Sequence, residues 1–481
     1  MQNKDSKGMT IKKNEDFSEW YQELIIKSGL ADYSAVSGCI VYKPGSYQIW
    51  EKIIHIIDKE FKNIGIKNCY FPLFIPESLL VKESEHVEGF VPEVAWVTHS
   101  GNSKLNERLA VRPTSEAIMY DSYSKWIRSH KDLPLKLNQW NNVVRWEFKH
   151  PVPFLRGREF LWNEGHNAYS NPEELNEDKE KILNIYYNFL KDYMALASFI
   201  GKKTNKEKFA GAVATYSIEL LLPNGRAIQG PDYHDDGQNF AKAYNIKFLD
   251  ENSKEDYVYQ STYAISTRML GVMFAIHSDD KGLVLPPRLS ENKIVIIPIL
   301  FEQSKKEVLQ KSNELKKLLQ EYNPILDERE DYTPGWKYNE WELKGIPLRL
   351  EIGPRDLEKN QVVLVLRHSG EKKIVNINKL EEEIPLLLDK MHNDLYENSK
   401  KFLESNIKEV KNFKEFSDAI KDKKIVKINW CDRTECEEQI KEKLEGVKSL
   451  NIDLEKNPLY GEMCANCGNE AKVICRFGRS Y

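Results

Sequence analysis

The chain has 481 residues, of which 41% are hydrophobic and 30% charged, and its formal net charge is -4. This is the composition of a globular protein with apolar mass for two or three cores, so a single small domain is excluded. A near-neutral charge neither requires nor excludes a nucleic-acid partner, because RNA binding needs only a local basic face. The polar N-terminal stretch and the lack of long apolar segments lead us to expect a cytoplasmic protein without membrane association.

The first strong helical pattern covers residues 46–64, where apolar side chains recur at helical spacing after Pro44 and Gly45. The next segment, residues 68–76, has the pattern of a strand. Pro72 inside it predicts an edge or an interface, because proline cannot donate to a ladder. From about residue 107 to 290, strand-like and helix-like stretches alternate, which predicts one large mixed body with helices over 115–129 and 171–198.

Near residue 292 the pattern changes to short apolar strands that alternate with charged helices. This pattern predicts a compact α/β domain with some parallel pairing. A third, charged segment begins after about residue 400 and ends in a tail that carries most of the cysteines. We therefore divide the chain into residues 1–290, 291–400 and 401–481.

One segment, VVRWEFKHPVPFLRGREFLWNEGH at residues 143–166, crowds three arginines, three glutamates and five large aromatic residues together. Alternation predicts two antiparallel strands, 143–148 and 158–166, joined by a loop. Guanidinium groups bind phosphates in bidentate fashion, ring faces stack on bases, and carboxylates orient a metal or an amine. The segment therefore favours a nucleoside triphosphate site over the alternative of a solvated charged hairpin.

The RWE strand with its loop and returning strand resembles motif 2 of the class II aminoacyl-tRNA synthetases. The helix leading into NCYFPLFIP resembles motif 1, whose strand lies at a dimer interface, and GLVLPPRLS resembles motif 3. Four further stretches are similar to prolyl-tRNA synthetases of the archaeal and eukaryotic-cytosolic type: RPTSE, AIQGPDYHDDGQNFAK, GWKYNEWELKGIPLRLEIGPRD and the terminal FGRSY. The resemblance covers nearly the whole chain from about residue 17.

This resemblance implies an α+β catalytic domain built on an antiparallel sheet, an α/β anticodon-binding domain and a small α+β C-terminal domain of the zinc type. It also implies a homodimer that attaches L-proline to tRNA(Pro) with ATP and Mg²⁺ through a prolyl-adenylate. The stretch between His166 and Arg288 is too short for the editing domain of bacterial-type relatives.

The resemblance further implies specific site residues. The proline pocket would consist of Thr114, Glu116, Arg145, Trp162, Glu164, His166 and His234. The ATP site would consist of Arg145, Glu147, Arg156, Phe160, Gln229, Ser266, Arg268 and Arg288. Among these, the residues closest to the chemistry would be Arg145, Glu147 and Arg288, the last of them contacting the γ-phosphate.

The segment GPDYHDDGQNF departs from the family pattern, which usually has a Thr-Ser pair, one or two histidines and a leucine before the second glycine. Here Asp232, Tyr233, Asp235 and Asp236 fill those places, and only His234 is kept. Extra carboxylates beside ATP phosphates would repel them unless the carboxylates bind metal or point away.

The second domain offers candidates for reading the anticodon, because Arg and Glu make paired contacts to base edges in single-stranded loops. These candidates are Lys337, Glu342, Arg349, Glu351 and Arg355; the alternative is an ordinary salt-bridged surface. In the third segment, the spacing of Cys431, Cys436, Cys464 and Cys467 predicts a structural zinc site with four thiolates. Cys475 is expected to be a spectator, and Tyr481 is either an anchor near the catalytic site or a frayed end.

Three other functions remain open at this stage. A synthetase-like paralogue could serve as a tRNA-binding or regulatory protein, but Glu116, Arg145 and Arg288 are all present. A threonine-charging enzyme lacks its usual metal-ligand cysteine in the pocket segments. An RNA-free adenylating enzyme would not need the second domain.

Overall fold

The structure is a computed structural model and describes residues 8–86, 93–147 and 150–481. Residue 148, at the end of the first strand predicted for the RWE segment, lies outside the described residues. The helices are α1 Phe17–Lys27, α2 Pro44–Asn63, α3 Glu77–His86, α4 Glu116–Trp126, α5 Pro172–Asp192, α6 Asn239–Tyr244, α7 Arg268–His277, α8 Lys305–Leu318, α9 Pro334–Leu343, α10 Pro354–Glu358, α11 Leu380–Ser405, α12 Phe413–Lys421 and α13 Thr434–Lys443.

The strands form two large sheets and three small ones within the described ranges. They are β1 Ala31–Tyr33, β2 Ile40–Tyr42, β3 Lys67–Asn68, β4 Phe74–Pro76, β5 Trp96–Ser100, β6 Ser103–Val111, β7 Leu135–Val144, β8 Glu159–Tyr169, β9 Phe199–Lys202, β10 Ala214–Leu221, β11 Ala227–Gly237, β12 Lys247–Leu249, β13 Glu255–Tyr257, β14 Tyr259–Ser266, β15 Ile294–Pro298, β16 Ile325–Leu326, β17 Leu348–Ile352, β18 Gln361–Leu366, β19 Lys372–Asn376, β20 Ile407–Val410, β21 Ile425–Trp430, β22 Val447–Asp453 and β23 Val473–Arg479.

The largest sheet has eleven strands in the order β20-β21-β23-β22-β9-β10-β11-β14-β8-β7-β3. Its middle, from β9 to β7, is antiparallel throughout, which confirms the predicted fold of the first domain. Helices α2 and α5 pack against each other and contribute their apolar stripes to the core below this sheet. In α2 the stripe includes Ile49, Trp50, Ile53, Ile57 and Phe61, as its period predicts.

The strand predicted over residues 68–76 is two separate strands. Lys67–Asn68 pairs with β7 at the end of the large sheet, whereas Phe74–Pro76 pairs with β6 in a three-stranded sheet. Pro72 lies in the break between them, because it has no N–H for a ladder. Both pieces are edge strands, which confirms the expected position but not the continuous strand.

The second domain contains a five-stranded sheet of order β16-β15-β17-β18-β19. Pairing of β15 with both β16 and β17 is parallel, and the other pairs are antiparallel, so the predicted mixture is present. The long helix α11 packs its apolar side chains into the core of this domain. Because α11 runs unbroken from Leu380 to Ser405, the boundary that we placed at residue 400 falls inside a helix.

The C-terminal segment is joined to the catalytic sheet rather than separate from it. Its strand β22 pairs antiparallel with β9 through Ile452 and Lys202, and through Asp453 and Gly201. A Cβ on Gly201 would lie 2.4 Å from the backbone oxygen of Ile452, so only glycine permits this approach. Among the described residues, no helix is both long and apolar enough to cross a membrane.

Candidate active site

A cleft of about 300 Å³ opens above the middle of the eleven-stranded sheet. Alternate residues of β8 line it, namely Phe160, Trp162, Glu164 and His166. Successive side chains of a strand point to opposite faces, so this row follows from the period predicted for the segment. Neighbouring strands and two helix starts supply the other candidates in the cleft: Thr114, Glu116, Arg145, Gln229, His234, Ser266 and Arg268.

Arg145 lies at the end of β7, where the strand stops at Val144 and the chain turns. Its Nε donates to the backbone oxygen of Pro113 at 3.0 Å, which fixes the guanidinium group over the cleft. The guanidinium carbon is 5.6 Å from the ring centre of Phe160 and 5.2 Å from that of Trp162. This arrangement leaves the two terminal nitrogens of Arg145 for contacts other than the one with Pro113, in a cleft with aromatic walls.

Glu164 is a buried anchor at the floor of the cleft. It is 2% exposed, and it accepts hydrogen bonds from Gln139 at 2.9 Å and Asn141 at 2.7 Å. The backbone and hydroxyl of Ser115 also donate to it, which ties the start of α4 to the sheet. Burial acts to raise the pKa of Glu164, but its donors, His166 foremost, outweigh burial and lower that pKa. Its acceptor sites are thus occupied by the protein itself.

Glu116 is the carboxylate that remains for a substrate cation. It is 4% exposed, lines the cleft as the first residue of α4, and accepts a hydrogen bond from Thr114 through Oε2. No hydrogen bond to Oε1 is present among the described residues. A buried carboxylate with one oxygen directed into a cleft is a ready partner for an ammonium group.

The nucleotide side of the cleft contains Arg268 at the first position of α7. Its Nε and Nη1 donate to the backbone oxygens of Leu155 and Gln229, at 3.3 and 3.2 Å. Burial lowers the pKa of Arg268, while Asp232 acts in the opposite direction. An arginine held by two carbonyl groups at a helix start is well placed for phosphate oxygens.

Asp232 and His234 form a second polar edge of the cleft. Asp232 accepts from the Gln229 amide at 2.7 Å and lies 3.6 Å from Nε2 of His234. The imidazole of His234 stacks on Phe209 with ring centres 4.6 Å apart, and burial lowers the pKa of His234. Phe209, with Glu207 and Thr215, was missed from the sequence, because nothing in its local pattern marks a loop that folds back over the sheet.

The three aspartates of the unusual segment point in three directions. Asp232 faces the cleft, Asp235 lies near Lys179 and Lys202 on the other side of the sheet, and Asp236 is fully buried. Only one of the three extra carboxylates therefore meets a nucleotide directly.

Two residues predicted for the ATP site lie elsewhere. Arg288 is outside the cleft, where it donates to the backbone oxygen of Asp192 at 2.8 Å and lies 3.6 Å from Asp389. The segment around it forms no strand, since Pro286 and Pro287 lack the N–H groups that a ladder needs. The strand-then-helix arrangement expected of motif 3 is instead β14 followed by α7, so its arginine is Arg268.

Glu147 is exposed in the turn after β7 and does not line the cleft. The alternation of β7 stops at Val144, so the face assigned to Glu147 from the sequence does not apply. Arg156 lines a second cavity of about 180 Å³, which shares Gln229 and Arg268 with the cleft. Arg156 therefore lies beside the ATP candidates Gln229 and Arg268, in the adjoining cavity rather than in the cleft.

Tyr481 lines the same second cavity beside Arg156 and Arg268. Its backbone N–H donates to the oxygen of Ala227 at 2.9 Å, and Ala227 also bridges Ser480. The chain terminus is thus anchored at the catalytic sheet, and the frayed end is excluded.

In the second domain, three predicted anticodon readers bind one another. Arg349 donates through Nε to Glu351 at 2.9 Å and through Nη1 to Glu342 at 3.0 Å. Its guanidinium carbon lies 4.1 Å from the ring centre of Tyr338. Arg349 and Glu351 are buried, so these hydrogen bonds lie inside the domain.

Lys337 is also internal, because it is 2% exposed and its Nζ donates to the backbone oxygen of Asp327 at 3.0 Å. Arg355, by contrast, is exposed beside the carboxyl ends of the parallel strands. The sequence did not single out Tyr332, in the loop before α9, and Trp336, in the first turn of α9, whose rings stack 3.7 Å apart. These two rings can stack on a base only where they are accessible, and no sequence pattern predicts the accessibility of a ring.

The four predicted cysteine ligands lie together, with their Sγ atoms all within 4.8 Å of one another. Cys436 and Cys464 are 3.7 Å apart, and Cys431 and Cys467 are 3.6 Å apart. Zinc bonded tetrahedrally to thiolates at about 2.3 Å would place the sulfurs about 3.8 Å apart, so the spacing suits that ion. Cys475 is buried outside the cluster.

The amide of Asn466 donates to the sulfur of Cys436 at 3.2 Å. That of Asn469 donates to the sulfur of Cys467 at 3.1 Å. Such outer donors stabilise thiolates that hold a metal.

Three family models match successive parts of the chain. They are the class II tRNA synthetase core domain (G, H, P, S and T) at residues 96–277, the anticodon binding domain at 293–386, and the prolyl-tRNA synthetase C-terminal domain at 413–481. The order and limits of these matches agree with the three sheet-bearing parts described above.

Whole-chain relatives extend this result. Proline--tRNA ligase 2 of Bacillus thuringiensis subsp. konkukian (strain 97-27) is 47% identical over 471 residues, 98% of each chain. The cytoplasmic proline--tRNA ligase of Arabidopsis thaliana is 44% identical over 98% of this chain and 91% of its own. A crystal structure of prolyl-tRNA synthetase from Cryptosporidium parvum, complexed with halofuginone and AMPPNP, has a TM-score of 0.95 and 44% identity, and the match covers 99% of this chain and 100% of that chain. The chain therefore belongs to the class II prolyl-tRNA synthetase family.

Proposed function

We propose that this protein attaches L-proline to tRNA(Pro) in two steps, using ATP to form a prolyl-adenylate first. The observation that carries the proposal is the cleft itself, which combines the free oxygen of Glu116 with arginines held over aromatic rings. A small cyclic ammonium and a nucleotide need these two kinds of partner side by side. The full-length proline--tRNA ligase relatives favour this activity over the non-catalytic paralogue.

In the first step the carboxylate of proline attacks the α-phosphate of ATP, and pyrophosphate leaves. Glu116 binds the ammonium group, and the wall of Trp162 and His166 excludes larger amino acids. Arg145 contacts the carboxylate and the α-phosphate, so that the two reacting groups approach in line. This chemistry needs positioning and charge neutralisation more than a general base, which matches a cleft of arginines and fixed polar groups.

The nucleotide lies along the other half of the cleft. Phe160 stacks on the adenine, with Gln229 and Ser266 beside the nucleotide, while Arg268 contacts the distal phosphates and Arg156 reaches them from the adjoining cavity. Mg²⁺ would accompany ATP and offset phosphate charge. The carboxylates of Asp232 and Glu207 line the cleft and are oxygen ligands of the kind that Mg²⁺ prefers.

Zinc would be structural in this protein. The four sulfurs of the cysteine cluster leave no open coordination position, and the cluster lies in the C-terminal domain away from the cleft residues. Zinc would link α13 to the loop before β23 and so support the strands that join the catalytic sheet.

A homodimer accounts for exposed aromatic residues around the motif 1 segment. Tyr70 is 71% exposed and Phe74 46% exposed, and Trp126 of α4 lies against Phe71 with its own ring half exposed. Large rings at edge strands are typical of a covered interface. The protein acts in the cytoplasm, as the name of the Arabidopsis relative also indicates for that protein.

Recognition of tRNA(Pro) uses the second domain. Arg355 and the stacked pair of Tyr332 and Trp336 are its accessible partners for unpaired bases, whereas Arg349 and Glu351 shape the domain from inside. Aromatic faces can stack on bases while the ion pair of Arg349 and Glu351 stays intact.

The direct test is ATP–pyrophosphate exchange by the purified protein with proline, alanine, threonine or cysteine as substrate. We expect exchange with proline to exceed that with the other three by at least about tenfold, because the pocket is closed by rings and has one carboxylate. Exchange that favours another amino acid would overturn the substrate assignment, and no exchange at all would favour the non-catalytic paralogue.

A further inference from the structure

Asp236 lies one step beyond the amino-acid end of the cleft, on a bulge of β11. His234 pairs with Thr262, and Gly237 pairs with Gln260, so Asp236 is the extra residue between these two pairs. Gly237 has φ of 54°, the left-handed conformation that glycine adopts most readily at such bulges. Strand alternation places Asp236 on the cleft side with Asp232 and His234, and places Asp235 on the far side near Lys179 and Lys202.

The surroundings of Asp236 contain several buried polar groups without hydrogen bonds. Asp236 is 0% exposed, and neither of its carboxyl oxygens has a partner in good geometry among the described residues. Across that same part of the chain, the side-chain amide of Gln260 and the hydroxyl of Thr262 also have none. Such groups are rare in native interiors, and three on adjacent strands beside a substrate pocket point to a functional arrangement.

Thr262 connects this cluster to the substrate, because it also lines the cleft. It pairs with His166 on one side and with His234 on the other. Its hydroxyl interacts with the Asp236 carboxyl and favours the ionised form. Any displacement of Thr262 would therefore shift the wall between two residues of the amino-acid pocket.

The charge state of Asp236 follows from its neighbours. Burial is the largest influence, and the carboxylates of Glu116 on α4 and Asp235 on β11 add to it, so that the pKa of Asp236 is raised well above its usual value. Thr262 on β14 acts in the opposite direction but is outweighed. The raised pKa favours the protonated form of Asp236, which can donate a hydrogen bond that a carboxylate could not.

We propose that Asp236 is a positioning residue of the amino-acid pocket, whose carboxyl group holds Thr262 in the pocket wall and thereby sets the affinity for proline. A protonated Asp236 also adds no negative charge beside Glu116. This inference rests on the proposed function, because it takes the cleft to bind proline.

Two substitutions separate the role of the hydrogen bond from that of size. Asp236→Asn keeps the shape and a donor, whereas Asp236→Leu keeps comparable bulk without polar atoms. Asp235→Asn is the matched control on the opposite side of the sheet. The measurement is proline-dependent ATP–pyrophosphate exchange on the full-length protein, with KM for proline, KM for ATP and kcat determined separately at pH 7.

We expect Asp236→Leu to raise KM for proline about fivefold or more, because the polar contact of Asp236 with Thr262 is lost and the Thr262 hydroxyl is left beside an apolar side chain, with KM for ATP within about twofold of the wild type. Asp236→Asn and the Asp235→Asn control should retain the wild-type KM for proline within about twofold. Equal KM values for proline in the wild type and in Asp236→Leu would overturn the inference, as would an equal rise in both KM values.

A pH series keeps the inference testable if Asp236→Leu does not fold. As pH rises, the wild type should lose proline affinity when Asp236 ionises beside Glu116, and Asp236→Asn should lack that loss. Ionisation of proline itself affects both proteins equally. Identical pH profiles of KM for the two proteins would contradict the role of Asp236.

The pH dependence of stability provides an independent test of the ionisation of Asp236. An acid whose folded-state pKa is raised stabilises the fold fully only below its unfolded pKa of about 3.8, and this contribution is lost as pH rises towards the folded-state pKa. The unfolding temperature of the wild type should therefore fall more steeply above that pH than that of Asp236→Asn. If the wild type shows no exchange with proline at all, the proposed function fails together with this inference; if it does exchange and the variants do not differ, only the inference fails.

Discussion

Charged side chains have opposite uses in the cleft of the catalytic sheet and in the five-stranded domain. In the cleft, the side chains of Arg145 and Glu116 each make one hydrogen bond with the protein, and both line the open space of the cleft. In the second domain, Arg349 uses its nitrogens on Glu342 and Glu351 and lies against a ring. The comparison teaches that residue type and spacing do not define a binding residue; its remaining hydrogen-bonding capacity does.

The largest effect should come from the arginine over the cleft. Arg145→Ala removes the group placed between the rings of Phe160 and Trp162, and we expect adenylate formation to fall by at least about a thousandfold. The exchange assay measures this loss, with size-exclusion chromatography as the control for assembly. Activity close to the wild-type value would remove Arg145 from the mechanism and weaken the distinction drawn above.

Substitution of Glu116, the carboxylate of the amino-acid pocket, should weaken the binding of proline but not of ATP. Glu116→Gln keeps the shape of the side chain but removes the charge opposite the ammonium group. We expect KM for proline to rise about thirtyfold or more, with KM for ATP nearly unchanged, since a buried charge pair is lost. Saturation curves for each substrate provide the measurement. A rise confined to ATP would place the amino acid elsewhere.

In the second domain, substitution of an internal arginine should damage the fold before it damages recognition. Arg349→Ala leaves the buried Glu351 and the half-buried Glu342 without their arginine partner, and we expect a loss of about 3 kcal/mol in the free energy of unfolding. Chemical denaturation followed by fluorescence measures it. Arg355→Ala should leave stability unchanged and raise KM for tRNA, because that side chain is exposed. The reverse result would restore Arg349 as a reader of the anticodon.

The smallest effect should come from the arginine that the sequence assigned to motif 3. Arg288 contacts Asp192 and Asp389 at the surface, so Arg288→Ala should change the exchange rate by no more than about twofold. Arg268→Ala, tested in parallel, should reduce the rate far more. A severe loss in Arg288→Ala alone would show that the γ-phosphate arginine was assigned correctly from the sequence.

Much of the cleft could be predicted because its signals are local. The alternation of β8 placed Phe160, Trp162 and Glu164 on one face, and the RPTSE stretch placed Thr114 and Glu116 at a helix start. The shared face of β8 needs only the period of a strand, whereas the roles of Thr114 and Glu116 come from the family resemblance of RPTSE.

The remaining features depend on contacts between distant parts of the chain. Arg268 and Arg288 both follow apolar stretches in the sequence. They differ because the stretch before Arg268 forms a strand, whereas Pro286 and Pro287 prevent the stretch before Arg288 from doing so. The pairing of β22 with β9, more than 200 positions earlier, has no signal in either strand alone. The bulge that leaves Asp236 without a ladder partner on β14 has no signal in the sequence of β11 alone.

The most direct test of the central claim is aminoacylation of a tRNA(Pro) transcript by the purified full-length protein, with labelled proline and ATP. We predict that proline becomes esterified to the 3′ end of the tRNA, that Arg145→Ala abolishes the product, and that Arg288→Ala retains it. A folded wild-type protein that forms no prolyl-tRNA, or that transfers another amino acid in preference, would contradict the assignment of the cleft.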